Sequence, residues 1–400
     1  MSKAKLNARI NRIEPSMTIG ISAKAKELCA AGLDVLSFSA GEPDFDTPDN
    51  IKIAAIKATV DGFTKYTAAG GINELRDAVV EKQKRRNGLD YKRENVCISV
   101  GAKHALFNIA AVMLEEGDEI IIPAPYWVTY EAIAKYVGAK PVIIETKEEN
   151  GFIPTPEDWE KAITPNTKMI LLNNPSNPTG ATYEKEDLEF IAKLAEKHDL
   201  WIISDEIYED IVFDGYDPIS IARLSDYAYE RTLVVNGISK TYSMTGWRIG
   251  YTCGDKDVIA AMIKLQSQST SNPTSIAQMA ALEALRGPQD SVEKMRVKFE
   301  ERRNFIVEAL NNIDGITCFK PKGAFYVFPN ISAFFGREYE GEKITGSMKF
   351  AELLLEHALI AVVPGIAFGD DRFMRFSFAT SLDNLKEGVK RLEEFVKKIK

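Results

Sequence analysis

Short apolar runs alternate with helix-like segments between residues 49 and 290. The runs lie at residues 95–100, 119–123, 141–145, 168–173, 200–204, 232–236 and 248–253. Amphipathic segments with the helical period lie at residues 74–86, 103–114, 126–137 and 184–198. Apolar runs separated by helices are typical of a mostly parallel sheet with helices on both faces. The pattern therefore predicts an α/β fold whose large domain contains a seven-stranded sheet.

The pattern changes after residue 290. The elements indicated there are a helix at 291–311, strands near 325–328 and 375–378, a helix near 348–357 and a helix at 383–399. This order predicts a smaller α+β domain over residues 291–400. We expect residues 1–48, which include a helical segment at 22–31, to pack on that domain, so that it is built from both termini. A chain of 400 residues is also too long for one core of ordinary size.

The charge balance narrows the range of partners. The chain carries 58 acidic and 50 basic residues, a formal net charge of −8, and the two signs are interspersed. Such a surface repels phosphate backbones, so nucleic acid is not expected as a partner. The sequence shows neither an apolar run that could span a bilayer nor a secretion signal. We therefore expect a cytoplasmic protein that does not contact membranes.

Cysteine and histidine usage indicates neither disulfides nor a metal site. The four cysteines lie far apart in apolar or strand-like surroundings: Cys29, Cys97, Cys253 and Cys318. A thiol in such surroundings packs as a small apolar group, so we expect all four to be reduced core residues. None of the three histidines has a second histidine or a cysteine at ligand spacing. No bound metal is expected.

Candidate binding residues follow the predicted strands, because ligands of open parallel sheets bind beyond the carboxyl ends of the strands. Five such positions are Gly101–Lys103, Tyr126–Trp127, Asn177, Asp205–Glu206 and Lys240. Gly101 and Ala102 begin a helix, and the free N–H groups at a helix start suit a phosphate, although a plain connection is the alternative. The sequence lacks both G-x-G-x-x-G and G-x-x-x-x-G-K-[ST], which disfavours nucleotide binding.

Four charged residues near these positions need partners. Asp205 follows a buried strand, where a protonated pyridine nitrogen would offset its desolvation; capping the next helix is the alternative. A desolvated Lys240 near other cations could attack an aldehyde, whereas most lysines are merely solvated. Arg375, in an aromatic-rich strand, and Arg248 suit a carboxylate or a phosphate in fork geometry. An internal Asp or Glu partner is the alternative for either arginine.

Several longer segments together resemble the class I, fold-type-I aminotransferases, which use pyridoxal 5′-phosphate. Residues 237–250, GISKTYSMTGWRIG, match the cofactor-lysine signature of that family at every position. The other segments are SAGEPDFDTP (39–48), KYTAAGG (65–71), SVGAKHAL (99–106), PAPYWVTY (123–130), NNPSNPTG (173–180), SDEIYED (204–210), GAFYVF (323–328) and MRFSFA (374–379). The resemblance extends over essentially the whole chain and is strongest to the bacterial aspartate aminotransferase branch.

The resemblance implies how the ring of the cofactor is bound. Lys240 would hold it as a Schiff base and, once released by substrate, move a proton between the substrate Cα and the cofactor. Asp205 would keep the pyridine nitrogen protonated, which makes the ring an electron sink. Tyr208 and Asn177 would bind the ring oxygen, and Trp127 would stack on the ring face. The Asn177–Pro178 bond falls where the family often has a cis proline.

The resemblance also implies a phosphate site shared between two subunits. Ala102 and Lys103 would bind the phosphate through backbone N–H groups, Ser239 through its hydroxyl and Arg248 through its guanidinium. Tyr66 resembles the tyrosine that reaches this phosphate from the neighbouring subunit. The active form would then be a homodimer with shared active sites.

For the substrate, the resemblance implies contacts with Gly41, Lys103, Trp127, Asn177 and Arg375. Arg375 would clamp the α-carboxylate, and Gly41 would add a backbone N–H. Lys103 would meet the distal carboxylate of aspartate or glutamate; a solvated lysine is the alternative. Ser16 and Thr18 would assist from the N-terminal segment.

The expected reaction transfers the amino group of L-aspartate to 2-oxoglutarate in two half-reactions, with amino acids and 2-oxo acids as the small-molecule partners. Some members of this branch also transaminate prephenate and tend to carry a lysine just before the Pro-Ser step. Here Glu14 precedes Pro15–Ser16, which argues against that activity. Aromatic or alanine specificity, or a fold-type-I lyase, remains an alternative. A transcription regulator would need a DNA-binding domain, and a dehydrogenase would need the missing glycine fingerprint.

Overall fold

The computed structural model describes residues 6–15 and 17–400. The helices in these ranges are α1 Met17–Ala30, α2 Asp49–Val60, α3 Asn73–Asn87, α4 Ala102–Met113, α5 Thr129–Val137, α6 Pro156–Ala162, α7 Lys185–Lys197, α8 Asp226–Arg231, α9 Lys256–Ser269, α10 Ser275–Arg286, α11 Asp290–Asn311, α12 Ser347–Ala358 and α13 Leu382–Val396. The strands are β1 Leu36–Ser37, β2 Val96–Ser99, β3 Glu119–Ala124, β4 Lys140–Glu145, β5 Thr167–Asn173, β6 Trp201–Asp205, β7 Thr232–Gly237, β8 Gly250–Cys253, β9 Tyr326–Val327, β10 Glu338–Tyr339, β11 Glu342–Lys343, β12 Ile360–Ala361, β13 Val363–Pro364 and β14 Met374–Ser377.

The large sheet contains seven strands in the order β2–β8–β7–β6–β5–β3–β4. Every neighbouring pair is parallel except the two pairs that involve β8. The prediction of a mostly parallel seven-stranded sheet is therefore confirmed. The register places Asn173 beside Asp205, and Asp205 beside Val235. The carboxyl ends of β5, β6 and β7 consequently lie side by side.

Helices cover both faces of this sheet because its central strands bury side chains in both directions. Ile203 of β6 belongs to an apolar cluster that includes residues of α4, α5 and α9. Ile202, its neighbour in the chain, points to the opposite face and packs with residues of α7. Successive side chains of a strand alternate between faces, so a continuous apolar run is the expected signature of such a strand.

The second part of the structure is built around a three-stranded antiparallel sheet, β13–β14–β9. Strand β1 pairs in parallel with β12, where Leu36 lies beside Ile360. Phe38 joins the apolar cluster formed mainly by residues of α11, α12, α13 and this sheet. This packing supports the proposed division into a large domain of residues 49–290 and a small domain of residues 291–400 joined by residues 1–48.

One cysteine does not lie where the sequence predicts. Cys29 is exposed on α1, whereas the other three cysteines are buried, and all four are free thiols. The inward stripe of α1 consists of Ile21, Ala25 and Leu28, which pack near Val35 of the same apolar cluster. Cys29 lies at the edge of this stripe, because the helical period places residues 21, 25 and 28 on one side. The expectation of a core position for Cys29 is therefore wrong.

Two features of the described part of the chain concern membranes and metals. Among residues 6–15 and 17–400, no helix combines the length and the apolar character that crossing a bilayer requires. The same residues contain no group of three or more His, Cys, Asp or Glu side chains arranged to hold a metal ion.

Candidate active site

A cavity of about 450 Å³ opens where β5, β6 and β7 end. The predicted site residues that line it are Gly41, Ala102, Lys103, Trp127, Asn177, Asp205, Tyr208, Ser239, Lys240, Arg248 and Arg375. They come from widely separated parts of the chain, because Gly41 precedes α2, most of the others lie near the large sheet, and Arg375 lies on β14. The fold thus brings these eleven predicted residues into one place.

Tyr66 is the predicted site residue that lies elsewhere. It is in the connection between α2 and α3, and 90% of its surface is exposed. Ser16 lies outside the described residues, and so does the side chain of Thr18. Glu14, which precedes the Pro-Ser step, is exposed.

Lys240 follows β7 and reaches the floor of the cavity, where its Nζ donates a hydrogen bond to the backbone oxygen of Gly41. Burial lowers the pKa of Lys240 to about 8, and the charges of Arg375 and Arg248 act in the same direction, while Glu42 opposes them. An amine with this pKa is neutral in about a tenth of the molecules at pH 7, far more than an unperturbed lysine. It can therefore act as a nucleophile or as a base.

Asp205 ends β6 and is only 2% exposed. Its Oδ2 accepts a 2.8 Å hydrogen bond from the Tyr130 hydroxyl, and its Oδ1 accepts a 3.2 Å bond from the backbone N–H of Ile207. Burial raises the pKa of Asp205 to about 6, and the bond from Tyr130 partly offsets that rise. Residues 207–210 form a turn rather than a helix, so the capping alternative is wrong. A cationic partner would complete the stabilisation of this carboxylate.

Arg375 is 3% exposed and has neutral hydrogen-bond partners. Its Nη1 donates to Asn177 Oδ1 at 3.0 Å, and its Nη2 donates to the backbone oxygen of Ser39 at 2.8 Å. The guanidinium lies 4.4 Å from the ring centre of Tyr326 and 5.0 Å from that of Phe368. Its Nε is buried without a hydrogen-bond partner. In the described part of the chain an internal acid therefore does not account for Arg375, and a ligand carboxylate would suit it.

The start of α4 packs closely against Arg248. A Cβ on Gly101 would lie 2.3 Å from Arg248 Nη2, and a Cβ on Gly250 would lie 2.3 Å from the Ala102 nitrogen. Arg248 has φ 58°, which prevents β8 from beginning at residue 248 as predicted. Its Nη1 donates to the Thr245 backbone oxygen at 2.8 Å. Because the first N–H groups of a helix lack intrahelical partners, this arrangement of helix start and cation suits an anion.

Lys103 and Trp127 form one wall of the cavity. The Lys103 ammonium lies 4.8 Å from the centre of the Trp127 ring. Burial lowers the pKa of Lys103, and the charge of Arg248 lowers it further. Trp127 also meets Tyr130 edge-on, with ring centres 5.5 Å apart. The lysine is an exposed residue whose ammonium lies over an aromatic face at the cavity.

The backbone beside Asn177 is fixed by Asn173 at the end of β5. Asn173 Oδ1 accepts a 2.8 Å hydrogen bond from the Asn177 N–H, and Asn173 Nδ2 donates to the Asp205 backbone oxygen at 3.0 Å. The Asn177–Pro178 peptide is cis, as predicted. The Ala124–Pro125 and Asn174–Pro175 peptides are cis as well.

Several residues of the cavity were not singled out from the sequence. They are Ala23, Lys26, Ser39, Tyr130, Asn173, Ile207, Thr245 and Tyr326. Tyr326 lies on β9 beside the strand of Arg375, and its hydroxyl is 2.9 Å from that of Tyr208. Tyr130 is one helical turn beyond Trp127, a spacing that could have identified it. Ala23 and Lys26 show that α1 contributes to the cavity wall.

The groups present fit pyridoxal 5′-phosphate in chemical type. A buried carboxylate at Asp205 suits a protonated pyridine nitrogen, and the amine of Lys240 suits an aldehyde. The Trp127 ring suits a planar heterocycle. The helix start at Ala102 with the Arg248 guanidinium suits a phosphate dianion.

Comparison with known proteins agrees with this chemistry. The family described as aminotransferase class I and II matches residues 33–392. An aspartate aminotransferase of Bacillus subtilis strain 168 is 48% identical over 397 residues, which cover 98% of this chain and 99% of that protein. An aspartate/prephenate aminotransferase of Cereibacter sphaeroides is 49% identical over 394 residues, 98% of either protein. The crystal structure of an aspartate aminotransferase from Rhizobium meliloti superposes with a TM-score of 0.96 at 43% identity and covers all of both chains. The chain therefore belongs to the class I and II aminotransferases and is a transaminase that depends on pyridoxal 5′-phosphate.

Proposed function

We propose that this enzyme transfers the amino group of L-aspartate to 2-oxoglutarate, which yields oxaloacetate and L-glutamate. One observation carries the proposal: an amine with a lowered pKa, a buried carboxylate and a guanidinium line the same cavity, at Lys240, Asp205 and Arg375, and no carboxylate among the described residues pairs with that guanidinium. The names of the relatives from Bacillus subtilis and Rhizobium meliloti support aspartate as the amino donor.

The ring of the cofactor would be bound by four residues of the cavity. Asp205 would face the pyridine nitrogen, Asn177 and Tyr208 the ring oxygen, and Trp127 the ring face. When bound, the cofactor supplies an electron sink for the pair of electrons released at the substrate Cα. Asp205 contributes by stabilising the protonated nitrogen, because a carboxylate in a buried site favours a cationic partner.

The phosphate would be bound by backbone and side-chain donors. Ala102 and Lys103 offer their N–H groups at the start of α4, where the helix dipole favours an anion. Ser239, which is 6% exposed, offers its hydroxyl, and Arg248 offers its guanidinium. Tyr66 would donate from the partner subunit. By holding the phosphate in place, these contacts would orient the ring of the cofactor.

Lys240 would hold the cofactor covalently in the resting enzyme and move the proton during turnover. Its Nζ would take the proton from the substrate Cα and deliver it to the cofactor, and a pKa of about 8 lies close enough to neutral pH for both steps. The hydrogen bond to the Gly41 backbone oxygen restricts where Nζ lies. The same residue thereby serves both half-reactions, one for each 2-oxo acid.

The substrate would be bound at its two carboxylates. Arg375 would clamp the α-carboxylate, since its fork is held by neutral groups and retains an unpaired Nε. The Gly41 N–H, Trp127 and Asn177 would also contact the substrate at the end that carries the α-carboxylate. Lys103, fixed over the Trp127 ring, would meet the distal carboxylate. Two fixed cations select a dicarboxylic amino acid over an apolar one.

A homodimer forms part of the proposal. Exposed apolar side chains lie together on α2 and in the connection to α3: Ile53, Ile56, Val60, Phe63 and Tyr66, which are 62%, 62%, 80%, 36% and 90% exposed. Clustered apolar exposure of this kind marks protein interfaces. A second copy packed on this surface would bring its Tyr66 to the phosphate site. The cytoplasmic location stays a prediction.

Steady-state rates test the substrate assignment. Aspartate, glutamate, alanine and tyrosine serve as amino donors, and 2-oxoglutarate and prephenate as acceptors. We expect kcat/KM for aspartate to exceed that for alanine or tyrosine by about tenfold or more. Alanine and tyrosine lack the distal carboxylate, so they lose its charged hydrogen bond with Lys103. Equal rates with alanine would overturn the dicarboxylate assignment. More than one equivalent of product per active site formed without any acceptor would indicate a lyase.

Prephenate is the second candidate acceptor. The Cereibacter sphaeroides relative is named for both aspartate and prephenate. Glu14 argues against prephenate as an acceptor, because it is an exposed acid at the position where prephenate-using members tend to carry a lysine. We expect prephenate to be a poorer acceptor than 2-oxoglutarate, and Glu14→Lys to raise its kcat/KM without changing that of 2-oxoglutarate.

A further inference from the structure

Lys82 is a buried cation behind the active site. It lies on α3, is 4% exposed, and its Nζ is 2.6 Å from Glu209 Oε1 and 3.4 Å from Asp210 Oδ2. Burial acts to lower the pKa of Lys82, but the carboxylates of Asp210 and Glu209 outweigh it and raise that pKa. Lys82 is therefore an ammonium ion between two acids.

Both acids belong to the turn that follows β6 and contains Tyr208, a proposed cofactor residue. Asp205 ends β6, Tyr208 follows three residues later, and Glu209 and Asp210 complete the turn. Because Glu209 is bonded to Tyr208 in the chain, holding the Glu209 carboxylate also restrains the backbone of Tyr208. Lys82 thus fixes the far end of a turn whose near end faces the cavity.

The same two carboxylates hold the segment that carries Lys240. Asn236 Nδ2, near the end of β7, donates to Glu209 Oε1 at 2.6 Å. The Thr241 hydroxyl donates to Asp210 Oδ2 at 3.2 Å, and Thr241 directly follows Lys240. Lys82, its two acids and these two donors therefore join residues 205–210 to residues 236–241.

Stability alone does not account for this buried pair. Desolvating an ammonium and a carboxylate costs several kcal/mol, and apolar side chains of similar volume often replace such pairs without loss of stability. Lys82 does not occur among the described residues that line the cavity. Its ion pairs go instead to Glu209 and Asp210, and these two carboxylates accept the hydrogen bonds from Asn236 and Thr241 in the segment that carries Lys240.

We propose that Lys82 is a positioning residue: it holds the carboxylates of Glu209 and Asp210, which tie residues 205–210 to residues 236–241, so that Asp205 and Lys240 stay in register with one cofactor. This inference rests on the proposed function, because it assigns both segments to cofactor binding. Misplacement of catalytic groups by about 1 Å through a distant substitution can lower rates by about 100-fold.

Lys82→Met tests the tie, because methionine nearly matches the length of lysine and has no charge. Lys84→Met is the matched control, since Lys84 lies on the same helix and pairs with the exposed Asp90 at 2.6 Å. For Lys82→Met we expect cofactor affinity of the apoprotein to fall about tenfold, kcat to fall about 10- to 100-fold and the KM for aspartate to change less than about threefold. Lys84→Met is expected to match wild type in all three. Unchanged cofactor affinity and kcat in Lys82→Met would overturn the proposal.

A double variant separates positioning from the effect of an unpaired buried charge. Lys82→Met leaves Glu209 unneutralised, so its unfolding midpoint is expected to drop; adding Glu209→Gln removes that charge and should restore much of the midpoint. We expect cofactor affinity of the double variant to remain about fivefold or more below wild type, since the bridge to Asp210 is still missing. Recovery of wild-type cofactor affinity would show that only the unpaired charge of Glu209 mattered, and it would contradict the positioning role of Lys82. If wild type itself neither binds the cofactor nor transaminates, the proposed function fails instead.

Discussion

The hydroxyl of Tyr130 lies 2.8 Å from Oδ2 of Asp205 and donates a hydrogen bond to it. Tyr130 belongs to the first turn of α5 and Asp205 to the end of β6, so this bond joins two elements at the inner end of the cavity. A hydrogen bond to a carboxylate favours its ionised form. It therefore opposes the burial that raises the pKa of Asp205 to about 6.

Tyr130→Phe removes this bond with little change in shape. The pKa of Asp205 should rise further, which weakens the stabilisation of a protonated ring nitrogen. We expect kcat for aspartate to fall by about tenfold or more, as is typical for loss of a hydrogen bond to a charged group. Tyr229→Phe is the control, because its hydroxyl donates to the Asp90 backbone oxygen away from the cavity. Equal kcat in the two variants would contradict the role of Tyr130.

Arg375→Lys keeps the positive charge and removes the fork. Because a carboxylate meets a guanidinium through two parallel hydrogen bonds, we expect kcat/KM for aspartate to fall about 100-fold, with cofactor affinity unchanged. Arg372→Lys, which alters an ion pair with Asp370, is the control. A loss of cofactor affinity in Arg375→Lys equal to its loss of kcat/KM would assign Arg375 to the cofactor instead of the substrate.

The pKa of Lys240 predicts how its reactivity depends on pH. The free amine forms as pH rises through the pKa, which is about 8 for Lys240 and 10.5 for an unperturbed lysine. Reductive methylation of the apoprotein, quantified at Lys240 by peptide mass spectrometry, should reach half its maximal rate near pH 8. Arg375→Gln should move that midpoint upward, because the charge of Arg375 lowers the pKa. A midpoint near pH 10 in wild type would contradict the lowered pKa.

The apolar surface on α2 predicts a dimer in solution. Ile56→Asp and Val60→Asp place charges on this surface, and sedimentation velocity should show a shift from dimer to monomer, with activity lost in proportion. Val297→Asp is the control, since Val297 is 46% exposed on α11. A fully active monomer would contradict the contribution of Tyr66 from a partner subunit.

The sheet could be predicted from the sequence because its strands are buried on both sides. The apolar runs of β5 and β6 have no solvent-facing positions to interrupt them, so their limits are visible. Helix α2 was harder to place, because Ile51 is buried while Ile53 and Ile56 are exposed, and no single apolar stripe results. The proposed dimer surface accounts for the second apolar side of that helix.

The site was predictable where a residue lies at the end of a strand or just beyond it, as Asp205 and Lys240 do. It was not predictable where a contact joins distant segments. Tyr208 and Tyr326 are 118 residues apart in the chain, yet their hydroxyls are 2.9 Å apart. Neither strand pattern nor spacing encodes that proximity, because it depends on how the two parts of the fold pack.

The proposed mechanism requires the cofactor to be attached covalently at one lysine, and borohydride reduction of the holoenzyme tests this attachment most directly. Reduction fixes the cofactor to the lysine that holds it, and peptide mass spectrometry identifies the residue. We predict a single pyridoxyl group on Lys240, and none after reduction of Lys240→Ala. A pyridoxyl group on any other lysine, or retention of the group in Lys240→Ala, would contradict the central claim.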